Sequence, residues 1–264
     1  MKNSSCTKDG SIKGSSLDLA ASFQGAIIPT RAPIIPGLDI FGACHYRSNL
    51  GGDFFDYFDF EEACCRSDKR LRLIIGDAAG HGVAAALVMV TARAYLRERA
   101  VQPGKINEVI TDVNKRLVRD AYQTGHFMTA FCLDVSMSEN TLSWVRAGHP
   151  PALLFDCKTG LFEQLSGNGI PLGVDPGHAY TINSREALRP GQLLVIGTDG
   201  IWETMNKEGQ LFGMERLRHI IMSNSEGTMQ RLTESVFSSL RSFSEQDELQ
   251  DDATIVAIKA KSDW

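Results

Sequence analysis

The sequence predicts an α+β protein in which antiparallel β-sheets are covered by helices. Three observations carry this reading. Apolar runs of strand length come in blocks, separated by turns too short for parallel crossovers. Two pairs of helical patterns alternate with those blocks. The composition is globular: 264 residues, 43% hydrophobic and 22% charged, with Gly and Pro (24 and 9) too few for a fibrous or disordered chain. At roughly 150 residues per domain the length allows one large domain or two small ones. Neither a repeat nor a composition shift marks a boundary, so one layered domain is expected.

Residues 1–16 are rich in Ser, Gly and Lys and read as a disordered tail. Residues 17–36 read as a helix and linker. Leu17, Ala20, Ala21, Phe23, Gln24, Ile27 and Ile28 give a mixed apolar face, and Pro29, Pro33 and Pro36 end the helix. The domain proper is expected over 37–264. Strands are predicted at 38–46, 54–60 and 71–75, the last two joined as a hairpin through the charged stretch 64–69. Gly80-His81-Gly82 opens an Ala-rich helix to residue 99, and Ile106, Val109, Ile110, Val113 and Leu117 recur at helical spacing in the next. Strands follow at 128–135, 142–146, 152–155, 161–165, 179–182 and 193–196, with turn signals such as Lys158-Thr159-Gly160 between them. Helices at 214–222 and 229–243 precede a last strand at 254–258.

Lys and Arg number 27 against 32 Asp and Glu, a net charge of −5. No overall positive field would draw the chain to nucleic acid or an anionic membrane, so neither is expected as a partner. The longest apolar runs, 83–90 and 193–196, are far too short to span a bilayer, and the polar N-terminus lacks the apolar core of a signal peptide. A cytoplasmic location is expected. The six cysteines form no C-x-x-C pair and read as reduced thiols.

The acidic residues are more informative. Asp53 follows Gly51-Gly52, Asp77 ends a strand, Asp199 follows a strand and precedes Gly200, and Asp251-Asp252 immediately precede the last strand. A carboxylate half-buried at a strand end is costly without a partner. No matching Lys or Arg lies beside these four places, whereas the flanking glycines let backbone carbonyls approach closely. Oxygen donors without clustered Cys or His suit Mg²⁺ or Mn²⁺ rather than Zn²⁺. Strand-end Asp also serves as a turn or cap residue, which remains the plainer alternative. Gly76-Asp77-Ala78-Ala79-Gly80-His81-Gly82 places a strand, an acid, a glycine turn and a helix N-terminus in immediate order. It reads either as a tight turn or as a site where free N–H groups meet a phosphate, and it lacks the Gly-Lys-Ser/Thr of a P-loop.

Taken together, Leu50-Gly51-Gly52-Asp53-Phe54-Phe55-Asp56, the Gly76–Gly82 stretch, Ala147-Gly148-His149-Pro150-Pro151, Pro171-Leu172-Gly173, Thr198-Asp199-Gly200 and Asp251-Asp252-Ala253-Thr254 occur in order. This series resembles the SpoIIE family of bacterial metal-dependent, PPM-type serine/threonine phosphatases, in its RsbU-like branch, from about residue 20 to 260. The resemblance implies a four-layer α/β/β/α sandwich with two packed antiparallel sheets. It implies two Mn²⁺ or Mg²⁺ ions, bridged by Asp77, bound by the backbone carbonyl of Ala78, and completed by Asp53, Asp199 and Asp251, with Asp251 rather than Asp252 at the matching position. Such a pair of ions would make water nucleophilic near neutral pH for in-line attack on phosphorus.

The leaving serine oxygen needs a proton, which His81 would supply directly or through water, although capping or packing reads equally well, and Arg47 would hold the substrate phosphate unless it is a solvated surface group. His149 is expected to order the loop beneath the site, and His45, His126, His178 and His219 to be structural. Trp202, before Glu203, stands where the family more often has a small residue, and is expected to reshape the rim. Ala79 stands where Ser is common. The implied substrate is a phosphorylated anti-anti-sigma (STAS-domain) protein in a partner-switching pathway. Control is expected from an activator protein or from homodimerisation through Phe23, Ile27 and Ile28. Two alternatives are a retired scaffold, which would have lost a ligand, and a two-metal nuclease, which would want a basic track.

Overall fold

A computed structural model describes residues 16–59, 70–121, 125–245 and 249–261. Strand alternation decides how its layers stack, because successive side chains point to opposite faces. In β3 (Arg70–Ala78), Leu71, Leu73 and Ile75 enter one core while Ile74 and Ala78 enter another. In β10 (Ala253–Ala260), Val256 and Ile258 share the first of these cores while Ile255 and Ala257 face a third. A strand buried on both faces must lie inside a stack.

The elements in chain order are α1 (Ser16–Ile27), β1 (Leu38–His45), β2 (Asp53–Asp59), β3, α2 (Gly82–Ala100), α3 (Ile106–Ala121), β4 (Met128–Ser136), β5 (Thr141–Ala147), β6 (Ala152–Asp156), β7 (Leu161–Leu165), β8 (Asn183–Glu186), β9 (Gln192–Gly197), α4 (Gly213–Ser223), α5 (Met229–Ser244) and β10. They build two five-stranded sheets, β1-β10-β9-β6-β7 and β2-β3-β4-β5-β8, with every pairing antiparallel. One core lies between the sheets, one between the second sheet and α2/α3, and one between the first sheet and α4/α5. The expected four-layer α/β/β/α sandwich is what forms.

Most elements fall within three residues of their predicted bounds, and the differences have physical causes. The strand expected at 179–182 is β8, at Asn183–Glu186. Tyr180 is 2% exposed in the core beneath α2 and α3, so its apolarity serves packing, while the polar β8 is fixed by pairing with β5 (Trp144 opposite Asn183). In α1 the buried residue is Gln24, which donates to the Gly51 carbonyl (2.6 Å) and accepts from the Gly51 N–H (3.1 Å). Phe23 of the expected apolar face is 62% exposed. Ser16, assigned to the tail, begins α1; the rest of that tail and the 64–69 stretch lie outside the described residues.

Arg72 is fully buried on β3 and makes a two-pronged ion pair with Asp134 of β4 (2.6 and 2.7 Å). It stands at the far end of β3 from Asp77. Cys44, Cys132 and Cys157 are free thiols, as expected. Among the described residues no helix is long and apolar enough to cross a membrane.

Candidate active site

The antiparallel register of β2 and β3 sets Asp53 directly opposite Asp77. The other sheet brings its acids to the same end: β9 and β10 pair Gly197 with Ile255, so Asp199 leaves one strand where Asp251 and Asp252 enter the other. Thr198 ties the sheets together, its hydroxyl donating to Asp53 Oδ2 (2.7 Å) and accepting from the Thr254 N–H (2.9 Å). The strand-end acids picked out in the sequence therefore meet at one end of the sandwich.

Two glycines make that meeting possible. A Cβ on Gly52 would stand 2.7 Å from the Ala78 carbonyl oxygen, and one on Gly200 would stand 1.9 Å from the Asp252 carbonyl oxygen. The Ala78 N–H in turn donates to the Gly52 carbonyl (3.2 Å). Only a residue without a side chain lets these backbones approach.

Burial is the main force on the carboxyls, and the second is their mutual repulsion. It pushes Asp77 up to about 7, helped by Asp199, Asp251 and Asp252 and opposed by a hydrogen bond with Asp53. Asp53, fully buried beside Asp77, is pushed well above the usual carboxylate range despite its bond from Thr198. Asp199 is raised by burial and then by Asp251. No Lys or Arg is among the main influences on these three. Glu203 is also raised, by partial burial and then by Asp199 and Asp251, which adds a rim carboxyl.

Asp251 and Asp252 divide their work. Asp252, 8% exposed, accepts from the Arg47 N–H (2.9 Å, Oδ1) and the Gly52 N–H (2.7 Å, Oδ2), clasping the loop that delivers Asp53. Asp251 is exposed and its Oδ1 accepts only from the Asp252 N–H among the bonds found (2.8 Å). It keeps an oxygen for other work.

Of the remaining expected residues, His81 is exposed in extended conformation at the N-cap of α2 and makes no side-chain cap bond. Arg47 is exposed and is brought to the site through its backbone. His149 is fully buried and 2.9 Å from the Thr129 hydroxyl; Thr129 lies opposite Asp77 on β4. Burial pushes His149 down to about 3, so it is neutral and sits under the Asp77 strand. Trp202 is partly buried and packs against the core beneath α4 and α5. Sequence reasoning missed the clasp by Asp252, the Thr198 tie and the placement of Glu203. All three depend on which strand ends converge, and a Thr immediately before a candidate acid was the one local signal.

Among the described residues no three His, Cys, Asp or Glu side chains are gathered closely enough to enclose an ion unaided. The donor set is instead looser: all-oxygen and near enough for the charges to raise one another's pKa. Mg²⁺ and Mn²⁺ suit such a set, because Mg²⁺ dehydrates reluctantly and keeps several waters. The residues present fit a hard divalent ion.

Residues 67–261 match the family model for Stage II sporulation protein E (SpoIIE). The chain belongs to the SpoIIE family. It is 25% identical to the phosphoserine phosphatase RsbU of Bacillus subtilis over 251 residues, covering 94% of this chain and 70% of RsbU. It spans 50% and 37% of two other curated relatives. In fold it is similar to the SiaA-PP2C domain of Pseudomonas aeruginosa, with a TM-score of 0.79 at 22% identity over 92% of this chain and 95% of that one. It is also similar to RsbX, solved in complex with magnesium, with a TM-score of 0.61 at 15% identity over 86% and 98%. The SpoIIE-family chain is thus a phosphatase domain of the PP2C fold.

Proposed function

We propose that this chain is a metal-dependent phosphatase for phosphoserine or phosphothreonine on a regulatory protein, with Asp53, Asp77, the Ala78 carbonyl, Asp199 and Asp251 holding two Mn²⁺ or Mg²⁺ ions. The observation that carries the reading is the cross-strand pair Asp53 and Asp77, raised by burial and meeting the Asp199 and Asp251 charges with no Lys or Arg of the described residues among their main influences. Bound divalent ions supply an activated water and offset charge on the phosphoryl oxygens during in-line displacement. The chain's own residues position that chemistry. Thr198 fixes one oxygen of Asp53, and Asp252 holds the Arg47–Gly52 loop against β10. His81, exposed at the α2 N-cap, delivers a proton to the departing serine oxygen, and the Arg47 guanidinium holds the substrate phosphate.

The substrate class follows the RsbU-like resemblance: a phosphorylated STAS-domain protein, in a cytoplasmic partner-switching pathway under an activator. The complete carboxylate set disfavours a retired scaffold. The test is hydrolysis of p-nitrophenyl phosphate across a Mn²⁺ titration, for wild type, Asp77→Asn and Asp199→Asn. Turnover that rises with Mn²⁺ and is lost in both variants is expected. Turnover that persists in EDTA, or survives both substitutions, would overturn the reading.

A further inference from the structure

Between segment 26–34 and the surface of β2 and α2 lies a cavity of about 790 Å³. That volume falls within the range of roughly 300–1,000 Å³ usual for small-molecule sites. Its charged lining is Arg31, Arg93, Arg97 and Asp56, three cations against one anion. Asp56 is 1% exposed and already held by Arg93 (2.9 Å) and Arg97 (2.8 Å to each oxygen). A single carboxylate cannot satisfy two guanidiniums, each with five donors. The Arg93 side chain is 12% exposed, yet its Nε is buried without a hydrogen-bond partner. That orphaned donor calls for an acceptor, since buried polar groups are nearly always paired. Arg31 and the half-exposed Arg97 leave further positive charge at the mouth.

We propose that this cavity binds a small organic oxyanion, its carboxylate, phosphate or sulfonate group accepting from the arginines and its apolar body lying against Ile28 and Val101. An apolar occupant would leave the Arg93 donor unpaired and a cation would meet a net positive wall. The site is separate from the acidic one: Asp56 lies on the α2 face of β2, three residues from Asp53, whose carboxylate bonds Thr198 on the opposite face. It does not depend on the proposed activity.

Phenylphosphonate is a suitable probe, because its P–C bond resists hydrolysis. The full chain in EDTA is titrated by calorimetry, beside Arg97→Gln, Arg31→Gln and Asp199→Asn, with thermal melts confirming each fold. Saturable binding is expected, weakened roughly tenfold by Arg97→Gln as one charge-assisted contact is lost, weakened less by Arg31→Gln, and unchanged by Asp199→Asn. Should Arg97→Gln fail to fold, Arg31→Gln at the exposed mouth decides. Absence of saturable heat up to roughly 10 mM, full affinity in the folded arginine variants, or loss of binding in Asp199→Asn would overturn the proposal.

Discussion

Asp251 and Asp252 are adjacent in sequence, yet their substitutions should produce opposite phenotypes. Asp252 accepts two backbone N–H groups at 2.9 and 2.7 Å while 8% exposed. Hydrogen bonds to a charged acceptor contribute about 1.5–3 kcal/mol each. Burial has raised the Asp252 carboxyl, so part of that gain is already spent on desolvation. Asp252→Ala should therefore cost about 2–4 kcal/mol net. At about 2–4 °C per kcal/mol for a domain of this size, the melting temperature should fall by roughly 5–15 °C. Asp251→Ala loses one exposed local bond and removes a charge that repels Asp77 and Asp199. In EDTA its melting temperature should stay level or rise. Its Mn²⁺ affinity should fall, and with it the stabilisation that ligand binding adds to the folded state. Melts with and without Mn²⁺, with a calorimetric Mn²⁺ titration, read both quantities. If Asp251→Ala in EDTA were destabilised as much as Asp252→Ala, the division of labour would be refuted.

Three further outcomes follow from the same geometry. Asp77 is near 7 in the metal-free fold, against about 3.9 in an unfolded chain. The folded state thus binds the extra proton, and stability in EDTA should decline as pH rises from roughly 4 to 7 and level off above, with Asp53, Asp199 and Asp252 acting in the same sense; a rising or flat melting profile there would contradict this. Gly52→Ala places a Cβ 2.7 Å from the Ala78 oxygen, so β2 must shift from β3 and Mn²⁺-dependent turnover should drop at least tenfold, as kinetics at saturating Mn²⁺ would show. Asp134→Ala strips the buried Arg72 guanidinium of its carboxylate and should cost about 3–5 kcal/mol in urea unfolding, while Mn²⁺ affinity of the protein folded at low temperature stays unchanged because Asp77 lies at the other end of β3.

What could be read from the sequence depended on how local the cause was. The central strands were legible because Leu71, Leu73 and Ile75 on one face of β3 and Ile255 and Ala257 on one face of β10 are apolar in the period of a strand. β8 was misplaced because its polar residues hold position through β5, whereas apolar Tyr180 just before it fills a core. The α1 helix was legible, but its buried face was not, since Gln24 is held by the backbone of Gly51, 27 residues away. Asp53, Asp77, Asp199 and Asp251 stood out because each sits beside glycine or at a strand end. Nothing local could show that Thr198 bonds an aspartate 145 residues away, or that Asp252 rather than Asp251 closes the loop.

The division between the two adjacent aspartates also bears on how such a site can exist without its ions. A cluster of carboxylates at the end of two sheets would push the strands apart unless something else held them. Here the holding is done by groups that need no cation: the Thr198 hydroxyl between the sheets, the backbone donors on Asp252, and His149 kept neutral against Thr129 under Asp77. The repulsion then falls on Asp77 and Asp199, whose carboxyls are raised, with Asp251 adding charge against both. With the proposed ligand set, stability and ion affinity are separable in this fold, because different oxygens of neighbouring residues serve each. A cluster in which every carboxylate served both ends would collapse or protonate when its ions left, and a scaffold holding all of them by hydrogen bonds would leave no oxygen to bind an ion.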